Sequence, residues 1–74
     1  MLTIFTECGD AVEAAKALAT YDNRPHEVWR IGDRFTHYPE GNASQRQMMM
    51  NLATKEGLQP RPVATYDPDG TEHC

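Results

Sequence analysis

The residue in this chain whose type and setting could do chemistry is Cys8, in the stretch Thr6-Glu7-Cys8-Gly9-Asp10-Ala11. A short apolar run precedes it and a helix-forming run follows, so the thiol falls where a strand turns into a helix. First-turn N–H groups of a helix lack intrahelical partners and carry the positive end of the dipole, which favours thiolate over thiol. A thiolate there would attack a disulfide or carry a mixed disulfide. The competing reading is a small buried hydrophobe, because free cysteine is among the most buried residue types and the acidic Glu7 and Asp10 oppose thiolate formation.

The other reactive side chains are dispersed. Cys74 serves as a resolving thiol only if the last segment returns toward Cys8, and otherwise it is a terminal residue with no role. His26, His37 and His73 show no close pairing with each other or with cysteine of the kind zinc requires, so they read as solvated or core histidines and no metal is expected. Met48-Met49-Met50 reads as core filler, and Asp67-Pro68-Asp69-Gly70 as a turn rather than a cation loop. Trp29 and Tyr38 fit either the core or an exposed anchor. There is no glycine-rich phosphate loop and no Ser-His-Asp set, so phosphoryl transfer and triad hydrolysis have no support.

The elements that must position Cys8 follow from periodicity. Leu2-Thr3-Ile4-Phe5-Thr6 mixes β-branched and aromatic residues on both faces, as in a strand covered on two sides. Asp10-Ala11-Val12-Glu13 has the form of a capping box opening a helix whose buried stripe is Ala11, Ala14 or Ala15, and Leu18. His26-Glu27-Val28-Trp29-Arg30-Ile31 is the second strand, which makes the first three elements a βαβ unit with a parallel strand pair. Residues 34–38 form either a hairpin partner of that strand, with a three-residue turn placing Trp29, Ile31 and Phe35 on one face, or a loop. A second capping box at Asn42 starts a helix over residues 43–56, with Met48, Met49 and Leu52 inward and Gly57 ending it. Val63-Ala64-Thr65-Tyr66 is a further strand, and the tail after the Asp-Gly turn can pair back on it.

Length and charge bound the rest. Seventy-four residues make a single domain over 1–74 with a thin core, burying only about 60% of the unfolded chain's surface. With 39% hydrophobic and 24% charged residues the chain is too apolar to be wholly disordered. Seven basic against eleven acidic residues give a net charge of -4, with the basic ones scattered, which argues against nucleic acid and anionic membranes as partners. No apolar run reaches membrane-helix length, and the first residues lack signal-peptide features, so a cytoplasmic protein is expected.

The order strand, cysteine-bearing turn, helix, strand, helix, proline-led strand and Asp-Gly turn resembles the glutaredoxin-like branch of the thioredoxin fold. Met1-Leu2-Thr3-Ile4-Phe5-Thr6, Ala15-Lys16-Ala17-Leu18 and Pro25-His26-Glu27-Val28 resemble the first strand, first helix and second-strand entry of glutaredoxins. Gly57-Leu58-Gln59-Pro60-Arg61-Pro62-Val63 and Asp69-Gly70 resemble the redoxins that reduce ribonucleotide reductase. The resemblance implies an α/β fold of the small thioredoxin-like kind, βαβαβ(β), with residues 32–41 as a loop; a ferredoxin-like βαββαβ sandwich is the alternative. It implies Cys8 as nucleophile, a cis-proline at Pro62, and Arg61, Pro62 and Val63 as the substrate-docking segment, with glutathione as the thiol compound. The chain departs from these redoxins at Cys8-Gly9-Asp10-Ala11, which lacks the second cysteine, and it has no Gly-Gly segment or last helix after Cys74. Two functions are therefore expected in competition: at most a monothiol redox activity at Cys8, or a non-enzymatic binding or inhibitor protein of phage or mobile-element type that acts on a protein partner.

Overall fold

A computed structural model describes residues 2–73. Its elements are β1 (Ile4–Phe5), α1 (Cys8–Asp22), β2 (His26–Ile31), β3 (Arg34–Pro39), α2 (Ala43–Lys55), β4 (Arg61–Tyr66) and β5 (Glu72–His73). They form one five-stranded sheet in the order β1-β3-β2-β4-β5, and every neighbouring pair is antiparallel. The α/β class and the two helices are as the sequence pattern implies. The adjacent parallel pair is not: β3 lies between β1 and β2, so the βαβ unit is split.

The pairing of β3 with β2 corrects the loop expected at residues 32–41. Ile31 faces Arg34, so the turn has two residues, Gly32 and Asp33, not three. A one-residue change of register moves a side chain to the other face of a sheet. Phe35 therefore sits opposite Arg30 and on the side away from Trp29 and Ile31, and the expected Trp29–Ile31–Phe35 face does not form. The element order is that of the βαββαβ alternative, with β4 placed beside β2.

This strand order puts one helix on each side of the sheet. The connection from β1 to β2 steps over β3, and that from β3 to β4 steps over β2 in the same direction across the sheet. The starting strands point opposite ways, so crossovers of one hand place α1 and α2 on opposite faces. Two separate cores match this. Ala11 and Ala15 of α1 pack with Val28, Ala64 and Tyr66, while Met49 and Ala53 of α2 pack with Ile31 and Tyr38. Val28 alternates with Trp29 and Ile31 along β2, as period-2 side chains on opposite faces must.

Both helices begin and end for identifiable reasons. α1 starts at Cys8, with Glu7 as N-cap making no side-chain bond, so Asp10 is inside the first turn and the expected Asp10 capping box is not the cap. Its buried residues are Ala11, Ala15 and Ala19, an i, i+4 stripe; Leu18, expected inward, is 40% exposed. Asn23 ends it in the left-handed conformation (φ 55°), its N–H bonding to the Ala19 carbonyl. α2 has the expected cap: the Asn42 side chain accepts the Gln45 N–H at 3.1 Å and donates to the Gln45 side chain at 3.0 Å. Of its expected inward residues Met49 is buried, Leu52 is partly so, and Met48 faces out.

Candidate functional site

Cys8 is the first residue of α1 and a half-buried free thiol. The first-turn N–H groups lie beside it, as the junction predicts. Arg61, Pro62 and Val63 open β4, and β3 and β2 lie between β4 and β1, a separation of about 14 Å at ordinary strand spacing. Pro62 pairs with Trp29 and its peptide bond is trans, which corrects the cis-proline; no cis bond occurs among the described residues. Val63 falls at the irregularity where the register shifts between Val28 and Trp29, and it packs on the α1-side core. Cys74 lies outside the described residues.

What the fold does gather is Asp22, His26 and His37. Asp22 is the last residue of α1 and His26 the first of β2; the three-residue connection through Asn23 and Pro25 brings the carboxylate to 3.0 Å from His26 Nε2. The two-residue hairpin turn sets Val28 opposite His37, so His37 is the diagonal neighbour of His26 on the α1 face. The two Nδ1 atoms are 3.2 Å apart, with ring centroids at 5.3 Å. Phe5 stacks on the outer side of His37 with centroids 5.9 Å apart. His26 is 1% exposed and His37 7%, while the Asp22 carboxylate remains a third exposed.

The partners set the protons. A carboxylate only accepts, so neutral His26 donates from Nε2 to Asp22 and keeps a lone pair on Nδ1. That lone pair takes the Nδ1–H of His37, which leaves His37 Nε2 as a bare acceptor. Among the described residues no buried side-chain nitrogen lacks a partner, and Nε2 of His37 has none, so it reaches solvent. The opening is a cavity of about 250 Å³ bounded by Thr3, Leu18, Pro39 and Gln45 together with the trio. His37 itself sits below the ordinary histidine range, chiefly because burial disfavours its charged form and then because His26 lies beside it, with Asp22 opposing.

The sequence reading assigned both histidines to core or solvent, and the first of these is what burial shows. Their pairing was legible only through the hairpin register: a Gly32-Asp33 turn makes opposed residue numbers sum to a constant, which sets 28 against 37 and 26 two places away. No group of three or more His, Cys, Asp or Glu among the described residues could hold a metal ion.

On the other face Glu27 organises a second polar cluster. Its Oε1 accepts from Trp29 Nε1 at 3.0 Å and from the Tyr38 hydroxyl at 3.4 Å. The Arg46 guanidinium lies 5.8 Å from the Trp29 ring centroid, a cation–π distance. Burial first and the Glu27 charge second push the Tyr38 phenol up to about 12. Trp29 and Tyr38 are thus core residues with satisfied polar tips. Among the described residues no helix is long and apolar enough to cross a membrane. Comparison with protein-family models, with curated proteins and with solved structures finds no match to this chain.

Proposed function

We propose that this protein is a small accessory or inhibitor protein that works by contact with a protein partner in the cytoplasm, and that thiol chemistry is not its activity. The all-antiparallel sheet carries this reading, because it lacks the adjacent parallel strand pair of the redoxin scaffold on which thiol exchange was expected. Exposed apolar side chains support it. Tyr21 is 85% exposed and Leu18 40%, one helical turn apart on α1, Leu18 also bounding the His37 cavity, and aromatic residues of this kind anchor interfaces. The test is capture of partners from a host lysate by wild type and by Cys8→Ser, each with and without reductant. Equal capture in all four arms is expected. A catch that needs Cys8 and disappears on reduction overturns the reading.

The second reading is a monothiol glutaredoxin-like oxidoreductase that forms a mixed disulfide with glutathione at Cys8. It is favoured by the place of Cys8 at the first position of α1, half-buried beside unpaired N–H groups. The redoxin scaffold it invokes has an adjacent parallel strand pair, and this sheet is antiparallel throughout, so the reading rests on the thiol alone. Incubation with oxidised glutathione followed by intact-mass measurement decides it: an adduct on wild type that Cys8→Ser lacks supports the reading, and its absence removes it.

A further inference from the structure

We propose that Arg30 and Arg61 form a binding site for the phosphoryl group of a small phosphate monoester, a ligand for the binding role argued above, on which this inference rests. The two arginines are directly opposite on β2 and β4 and so project on the same side of the sheet. Like charges directly opposite one another are destabilising in a sheet. Proteins usually relieve such a pair with a carboxylate, and this chain has eleven. Neither arginine has an ion-pair partner among the described residues, while Arg34, the first residue after the turn and opposite Ile31, is paired with Glu56 and lies 3.9 Å from Asp33. Two positive charges thus stand directly opposite one another with no carboxylate paired to either among the described residues.

The surroundings are built as a recess. Arg30 and Arg61 line a cavity of about 320 Å³ with Gly32, Leu58 and Gln59, where the β2–β3 turn meets the connection from α2 to β4. The Nε of Arg30 donates to the Gly32 carbonyl at 2.6 Å, which fixes that guanidinium and leaves its terminal N–H groups to a ligand. Gly32 is held against the Leu58 side chain, so the turn and the connection form adjoining walls. Two guanidinium forks present the planar, paired donors that match a tetrahedral oxyanion. Leu58 offers an apolar wall and Gln59 an amide for the organic part. A cavity of this size is at the small end of ligand sites, and the negative net charge repels extended polyanions, so the fit is to a small monoester and not to a nucleic acid.

The test is a two-dimensional amide NMR titration of the whole chain with O-phosphoserine and inorganic phosphate, with sodium chloride at matched ionic strength as control. Saturable shifts are expected at Arg30, Gly32, Gln59 and Arg61 with both phosphates and not with chloride. Arg30→Gln and Arg61→Gln should each weaken binding about tenfold or more, the loss of a charge-assisted contact. Arg24→Gln, in the connection that precedes β2 and outside this cavity, should not. Without ligand, Arg61→Gln should melt at the wild-type temperature or above it, because a repulsion is removed; a markedly lower melting point would mean a structural arginine and overturn the site. No saturable shift, equal shifts with chloride, or shifts unchanged in Arg61→Gln would also overturn it, as would tighter binding of a duplex oligonucleotide at the same residues. Lysate capture that persists when phosphate binding is absent removes this inference and leaves the binding role standing.

Discussion

At His37 two effects favour the neutral ring, burial first and the neighbouring His26 second, while Asp22 opposes them. Because the folded-state value of His37 lies below the ordinary 6.5, protonation favours the unfolded chain. The stability it contributes is complete above pH 6.5 and is lost as pH falls from there through the folded-state value. Thermal melts across pH 7.5 to 4.5 should show the melting temperature dropping below about pH 6.5, with a shallower drop in His37→Gln. The same slope in both would assign the acid sensitivity to other groups. Cys8 shows the opposite relation of residue to context. Its type and its place at a strand-to-helix junction are both local properties, and both were evident in the sequence.

Among the elements, the β2–β3 hairpin decides most of what was misread. The sequence displays its turn, Gly32-Asp33, yet a turn of two residues and one of three are nearly equal on local propensity, and only packing on both faces selects between them. With two residues, Phe35 joins Phe5 and Val12 around the α1-side core, and Tyr38 joins the α2 side. Helices were more legible because caps are local: Asn42 with Gln45 and Asn23 with Ala19 involve only near neighbours. Strand partners were not, since β1 with β3 and β2 with β4 join distant segments. The hairpin also supplies a test. Gly32 has φ 63°, and a Cβ there would come within 2.9 Å of Leu58 Cδ1. Gly32→Ala should cost about 1–2 kcal/mol from the left-handed backbone alone, which for a domain this size lowers the melting temperature by about 4–8 °C per kcal/mol.

On the scale of the whole molecule, one sheet divides the interior into two thin cores. The α1 side is close-packed through alanines, and the α2 side is filled by bulkier Met49, Ile31 and Tyr38. A core this small has little reserve. Met49→Ala removes the largest fully buried side chain of α2 and should cost about 2–5 kcal/mol, against a total of about 5–15 for an ordinary domain. Urea denaturation should show the midpoint falling with the slope unchanged. The composition foretold the thin core but not its division, because the division follows from which edge β4 joins. That choice has one more result, which concerns how the molecule opens. β2 has a paired strand on each side and a helix over each face, so no local fraying exposes it. Its amide protons exchange with solvent only when the entire chain unfolds, whereas β1 and β5, two residues long and at the sheet's margins, exchange through small excursions that leave the rest intact.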